Sequence, residues 1–159
     1  MSEIRVSAER AIAAPPDVVY HCIADYVRHH NPSGFLPPAF SSFQVERGGV
    51  GAGTVIRFAV SAGGQTQMHR AEVSEPQPGR VLVETEQQNA LTTTFTVEPE
   101  GQYARARFDT RYTKGGIQGW IERLVAPRVL RSLYADELAR LERHAQDHGP
   151  PEDCPGARA

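Results

Sequence analysis

The stretch GGIQGWIERLVAPRVLRSLYADELARLERHAQ, Gly115 to Gln146, decides how the rest of the chain is read. It is built largely of good helix formers, interrupted by Gly119 and Pro127. Ile117, Trp120, Ile121 and Leu124 recur at helical spacing and form one apolar stripe. Leu130, Tyr134, Leu138 and Leu141 form a second. The stripes are out of phase, because continuing the first reaches Arg128 and Arg131. Pro127 sits at the change. It has no N–H for the carbonyl of Arg123 and its ring crowds that carbonyl, so a bend is predicted there. A helix this long in a chain of 159 residues needs a large partner to cover its apolar side.

Working back from it, the run Tyr103 to Thr113 alternates strictly. Ala104, Ala106, Phe108, Thr110 and Tyr112 share one face; Arg105, Arg107, Asp109 and Arg111 share the other, toward solvent. Leu91, Thr93, Phe95 and Val97 repeat the pattern one strand earlier. In Val81 to Glu86, Val81, Val83 and Thr85 face one way, Glu84 and Glu86 the other. EPQPGR reads as a turn. Gln67 to Ser74 puts His69 with Ala71 and Val73. Thr54 to Ser61 alternates Ile56, Phe58 and Val60 with Arg57, and Phe40 to Arg47 begins the run. Glu3 to Ala13 is a first strand, with Ile4, Val6 and Ile12 on one parity. Arg10 shares that parity and needs a partner or a bulge. Pro15-Pro16-Asp17 ends this strand and starts a short helix, whose apolar side is Val18, Val19, Cys22, Ile23 and Tyr26. Val27 to Pro38, with three prolines and a glycine, holds at most a second short helix.

Strands joined by short turns make an antiparallel meander with one apolar face, and the long helix is the element large enough to cover it. Small inward residues, Ala104 and Ala106 among them, leave room for a cavity between sheet and helix. The unfilled volume is expected under Trp120 and Leu124, with the Leu130–Leu141 stripe filling a dry core.

Composition narrows the function classes. Hydrophobic residues at 40% and charged residues at 23% are ordinary for a globular domain. A net charge of −2 argues against a nucleic-acid partner. No run reaches the roughly 18 apolar residues of a membrane span, and MSEIRVSAER has no apolar signal core. A cytoplasmic location with no membrane insertion is expected. Cys22 falls in a helix and Cys154 in a polar tail, which argues against a disulfide.

The pattern resembles the START-like (SRPBCC, helix-grip) superfamily. It is most similar to the bacterial polyketide cyclase/dehydrase and lipid-transport-like group, over about Ile4 to Ala145. The residues that carry the likeness are IAAPPDVVYHCIADY, GGVGAGTVIRF, AEVSEPQPGRVLVET and GWIERLVAPRVLRSLYADELARLE. The resemblance implies an α+β helix-grip fold: a curved seven-stranded antiparallel sheet wrapped around the long C-terminal helix, with two short helices after the first strand. It implies one START-like ligand-binding domain over residues 1–147. HGPPEDCPGARA, 148–159, reads as a disordered tail.

Candidate site residues follow from the inward faces: Phe58, His69, Ala71, Thr93, Phe95, Phe108, Thr110, Tyr112, Trp120, Leu124 and Tyr134 as ligand contacts. His69 is the candidate proton-transfer group, because imidazole exchanges a proton near neutral pH; the alternative is a histidine satisfied within the core. Tyr112 is the second catalytic candidate, against simple ring packing. Arg128 and Arg131 either meet a carboxylate at the cavity mouth or are solvated. GGVGAG, Gly48 to Gly53, precedes a strand rather than a helix. It therefore reads as a flexible hairpin loop at the cavity rim, not a phosphate loop. His21, Asp25 and His29 stand four residues apart and form a metal face only if the first helix runs on past Tyr26. A solvated, fraying end is the simpler account, so no metal and no cofactor are expected.

Three readings stand. The first is a protein binding an apolar or aromatic small molecule, lipid- or polyketide-like, in the sheet–helix cavity. The second is a cyclase or dehydratase acting on a polyketide-like substrate. The third is a surface-mediated interaction module of toxin–antitoxin type. A homodimer is compatible with all three.

Overall fold

The computed structural model describes residues 3–62, 64–87, 90–113 and 127–148. Seven strands form one antiparallel sheet: β1 (Glu3–Ile12), β2 (Phe40–Arg47), β3 (Val55–Ala62), β4 (Gln65–Gln77), β5 (Val81–Glu86), β6 (Leu91–Glu100) and β7 (Tyr103–Thr113). Their order is β1-β7-β6-β5-β4-β3-β2. The meander thus runs from β2 to β7, and the first strand returns beside the last. The sheet curves without closing into a barrel. Helix α1 (Pro16–Ala24) follows β1, and helix α2 (Pro127–His148) closes the described chain. This is the helix-grip arrangement.

Local chemistry sets the element ends. Pro16 sits in the first turn of α1, where its missing N–H costs nothing, and Asp17 meets the positive helix end. Val27 to Pro38 folds as consecutive turns: the His29 and His30 N–H groups both donate to the Asp25 carbonyl, at 3.1 and 2.8 Å. Asn31 secures them by donating to the carbonyls of Tyr26 and Val27. β4 runs through Pro76 to Gln77 with a bulge between Ser74 and Gln77, so the expected EPQPGR turn shrinks to its last residues. Pro127 is the first residue of α2, and His148, placed in the tail by sequence, is its last. Ile117, Trp120, Ile121, Leu124, the expected bend before Pro127 and the tail beyond His148 lie outside the described residues.

The concave face of β7 is the expected one: Ala104, Ala106, Phe108, Thr110 and Tyr112 are all buried. Arg107 and Arg111 are exposed on the convex face. Asp109 shares that convex face but is buried, because Arg5 Nε and Ser7 Oγ both donate to its Oδ1, at 2.8 and 2.6 Å. The Arg5 and Ser7 bonds hold its carboxyl below the ordinary value against the opposing cost of burial. Arg10 finds the partner its parity required: its Nη2 donates to Glu142 on α2 at 2.8 Å, while the other carboxylate oxygen accepts the Ala13 N–H at 2.9 Å.

On β5 the expected alternation holds, and the side that faces inward is that of Leu82, Glu84 and Glu86 rather than that of Val81, Val83 and Thr85. Register explains it. Glu84 lies opposite Val73 on one side and Thr93 on the other, and Glu86 lies opposite Leu91. Directly opposed residues share a face, and β4 and β6 already commit Val73, Thr93 and Leu91 inward. The two glutamates are carried to the concave side with them.

Candidate functional site

A cavity opens on the concave face between β2–β6, the 30–36 turns and the start of α2. Its apolar wall includes Phe40, Phe43, Ile56, Phe58, Val60, Phe95, Leu130 and Leu133. The free volume is about 70 Å³, less than the roughly 150 Å³ of a cavity that takes up benzene. Uptake of a ring-sized ligand would require the lining side chains to spread.

Polar groups are concentrated in this wall. The first set is His69 and Glu86. The β3–β4 register places His69 opposite Phe58, and the two rings stack with centroids 5.4 Å apart. His69 Nδ1 lies 2.6 Å from Glu86 Oε1. A carboxylate takes the Nδ1 hydrogen bond, fixes the ring and leaves Nε2 as the nitrogen that can exchange a proton with a ligand.

The second set surrounds His30. Its Nδ1 is 2.7 Å from the Ile23 carbonyl oxygen. A carbonyl only accepts, so Nδ1 carries the proton and Nε2 the lone pair. Nε2 lies 4.0 Å from a carboxyl oxygen of both Glu84 and Glu137. Burial lowers the His30 pKa to about 4, keeping the ring neutral. Burial likewise pushes Glu84 up to about 7, against the opposing hydrogen bond that Tyr26 Oη donates to it at 2.6 Å. Burial, and then the neighbouring Glu84 charge, push the Glu137 carboxyl on α2 well above its ordinary value, which favours its protonated form. The Tyr26 and Phe35 rings stack on His30 and hold it in place.

The third set is a hydroxyl chain. Thr93 Oγ1 and Thr110 Oγ1 are 2.9 Å apart, and Thr110 Oγ1 and Tyr134 Oη 2.5 Å. It ties β6, β7 and α2 together at one end of the cavity. An oxygen-bearing ligand would meet two carboxyls that burial shifts toward the protonated form and an oriented imidazole within one apolar enclosure.

Of the residues expected from sequence, Phe58, His69, Thr93, Phe95 and Tyr134 line the cavity. Ala71, Phe108, Thr110 and Tyr112 are buried behind the wall, with Thr110 touching the site only through its hydroxyl contacts. Trp120 and Leu124 lie outside the described residues. The expected dry core of the second stripe is corrected, because Leu130 and Tyr134 face the cavity. Ala104 and Ala106 sit at the far end of β7, a strand that α1 packs against, and do not line this cavity. GGVGAG does not lie at the rim of this cavity. The Tyr26 N–H donates to the Gly49 carbonyl and the Gly51 N–H to the Ala24 carbonyl, pinning the loop to the end of α1. A Cβ on Gly51, at φ +67°, would also collide with the Glu75 carboxylate.

Sequence reasoning missed His30, Glu84, Glu86 and Glu137. The signal for Glu137 was its place three residues after Tyr134 on the inward stripe. For β5 it was Leu82, whose parity competes with that of Val81 and Val83.

The chain is similar in structure to the KanY protein, at 26% identity and a TM-score of 0.78, covering 92% of this chain and 99% of that one. A protein from Thermus thermophilus is 21% identical with a TM-score of 0.72, over 92% and 100% of the two chains. The Zhui aromatase/cyclase from Streptomyces sp. R1128 is 14% identical with a TM-score of 0.69, over 91% and 94%. No curated protein matches the chain. Among the described residues no helix is long and apolar enough to cross a membrane. The sequence profile of polyketide cyclase / dehydrase and lipid transport proteins matches residues 3–146, and the chain belongs to that family.

Proposed function

We propose that the cavity binds an apolar or aromatic small molecule carrying keto or hydroxyl oxygens and performs acid–base chemistry on it, of the cyclisation or dehydration type. Family membership supports hydrophobic ligand binding or polyketide-cyclase-type function in general terms. The observation that carries the finer reading is the set of ionisable groups on an otherwise apolar wall: Glu84 and Glu137 either side of His30, with the His69–Glu86 pair alongside. Burying carboxyls without a cationic partner costs stability, and a carrier of purely apolar ligands gains nothing from it.

The roles follow from the hydrogen bond that orients His69 and from the burial of Glu137. His69 Nε2 accepts a proton from a carbon flanked by carbonyls. That carbon bonds to a second carbonyl carbon, whose oxygen takes the proton of the Glu137 carboxyl and becomes a hydroxyl. Loss of a neighbouring C–H proton with that hydroxyl then releases water. Glu86 and Tyr26 are positioning residues for His69 and Glu84. The reduced thiol of buried Cys22 suits a cytoplasmic setting.

The test is incubation of a synthetic linear poly-β-ketone thioester with wild type, His69→Asn and Glu137→Gln, read by mass spectrometry for loss of water and by a binding titration. Wild type is expected to give the cyclised product. Each variant should lose about 10²–10⁴-fold in rate with binding nearly retained. Binding without product in wild type would contradict the acid–base reading and leave a carrier. Neither binding nor product would contradict both.

A further inference from the structure

Away from the cavity, a second concentration of polar side chains lies where α1, the turns after it and the end of α2 converge. Cys22, His29 and His144 each offer one ligand atom, and these atoms all lie within 4.8 Å of one another. Nothing in the sequence spacing joins them, since His144 is on α2, 115 residues beyond His29. His29 Nδ1 and His144 Nε2 face each other at 2.8 Å. One turn further along α2, the His148 ring lies 3.9 Å from that of His144. His148 Nδ1 donates to the His144 carbonyl at 2.9 Å, which leaves its Nε2 lone pair unused. On the other side of His29, His21 Nε2 is buried with no hydrogen-bond partner, 3.5 Å from Asp25 Oδ2. None of these residues lines the cavity.

We propose that Cys22, His29 and His144 form a transition-metal site of the zinc class, with His148 as the fourth ligand. Tetrahedral zinc at about 2.0–2.1 Å from nitrogen and 2.3 Å from sulfur separates two nitrogens by about 3.3 Å and nitrogen from sulfur by about 3.6 Å. The 2.8 Å nitrogen pair opens by about half an ångström, and the Cys22 sulfur closes from within 4.8 Å of both. One thiolate and three imidazoles match the soft-to-intermediate donor set that selects zinc over magnesium or calcium. His29 Nδ1 and His144 Nε2 can approach to 2.8 Å only if one of them accepts, so at least one ring already offers a lone pair. Coordination would displace the Cys22 thiol proton, as coordinating metals do. His144 and His148 stand four residues apart on one helix face, a common spacing for paired zinc histidines. Asp25 and His21 flank the ligands and supply an outer carboxylate.

The site would act as a staple. His29 lies in the turns that carry His30 and Leu36 to the cavity wall, and His144 belongs to the helix opposite. An ion between them ties the cavity's roof to α2. The inference does not depend on what the cavity binds.

The experiment uses the full chain stripped of metal with a chelator, then titrated with Co²⁺ and separately with Zn²⁺. One equivalent of Co²⁺ should give intense tetrahedral visible bands and a near-ultraviolet thiolate-to-cobalt band. Zn²⁺ should displace it and raise the melting temperature. Cys22→Ser should remove the thiolate band, while Cys154→Ser keeps it. His29→Gln and His144→Gln should weaken Co²⁺ binding by about tenfold or more, with circular dichroism of the metal-free variants confirming that they fold. Should either histidine variant unfold, His148→Gln at the exposed helix end provides the same readout. Absence of a tetrahedral spectrum at one equivalent would overturn the proposal. So would a thiolate band that follows Cys154, or affinity untouched by the histidine changes.

Discussion

The two ends of the concave face use the same sheet in opposite ways. Where β1 and β7 meet α1 and α2, the inward side chains are Val6, Ile12, Ala104, Ala106, Val18, Val19, Ile23, Leu138 and Leu141. Each is no more than 1% exposed, and none carries a polar side-chain atom. At the β3–β5 end the inward positions include His69, Glu84 and Glu86, with Glu137 and His30 reaching in from α2 and the turns. The first end supplies hydrophobic stabilisation through close packing. The second gives some of it up, because Glu84 and Glu137 are held away from their ordinary protonation. A sheet stabilised mainly from one end can carry a costly site at the other. That division predicts mutations whose effects on stability and on binding come apart.

The largest expected effect is at the packed end. Leu141→Ala should destabilise by about 2–5 kcal/mol, measured by urea unfolding, while the ligand affinity of the folded protein stays the same. A smaller loss accompanied by altered binding would break the division.

Next comes a gain at the cavity end. The folded Glu84 pKa is raised from 4.5 to about 7, so between those values the native state binds more protons than the unfolded state. Stability attributable to this group is therefore intact below about pH 4.5 and falls as pH rises toward 7. Glu84→Gln lacks that slope. It should match wild type near pH 4 and exceed it by roughly 3 kcal/mol at pH 8, read from unfolding curves at both values. A variant less stable than wild type at pH 8 would show that the ionised carboxyl is compensated.

Smaller still is the clasp between β1 and α2. Arg10 is 45% exposed in its pair with Glu142, so Arg10→Ala should cost under about 1 kcal/mol, and less at high salt. The smallest effect belongs to the convex face. Arg107→Gln with Arg111→Gln should leave ligand affinity unchanged and shift stability by no more than about 0.5 kcal/mol.

These contrasts also mark what sequence can reveal. β7 was readable because five apolar or small residues alternate with four charged ones over an unbroken run, and the concave face of β6 followed in the same way. β5 was not. In VLVETE the hydrophobic parity is Val-Val-Thr, yet pairing with β4 and β6 overrides it, and pairing is a property of three strands together. His69 was identifiable from parity alone, but its partner Glu86 lay on a strand whose own pattern does not mark its inward side. His30 and the His29–His144 contact were beyond reach because irregular turns and a helix over a hundred residues away place them. The GGVGAG loop was separated correctly from phosphate loops, yet its attachment to α1 depends on backbone bonds that no side-chain pattern announces.

The central claim is that the cavity, not the charged surface, carries the function. The direct test is a titration with an environment-sensitive apolar dye against wild type, Leu133→Trp and the Arg107→Gln/Arg111→Gln double variant. Leu133 lines the cavity from α2, and an indole there would occupy the free volume. Saturable binding is expected in wild type and in the arginine variant with equal affinity, and its loss in a folded Leu133→Trp protein. Binding that survives the tryptophan and disappears with the arginines would contradict the account.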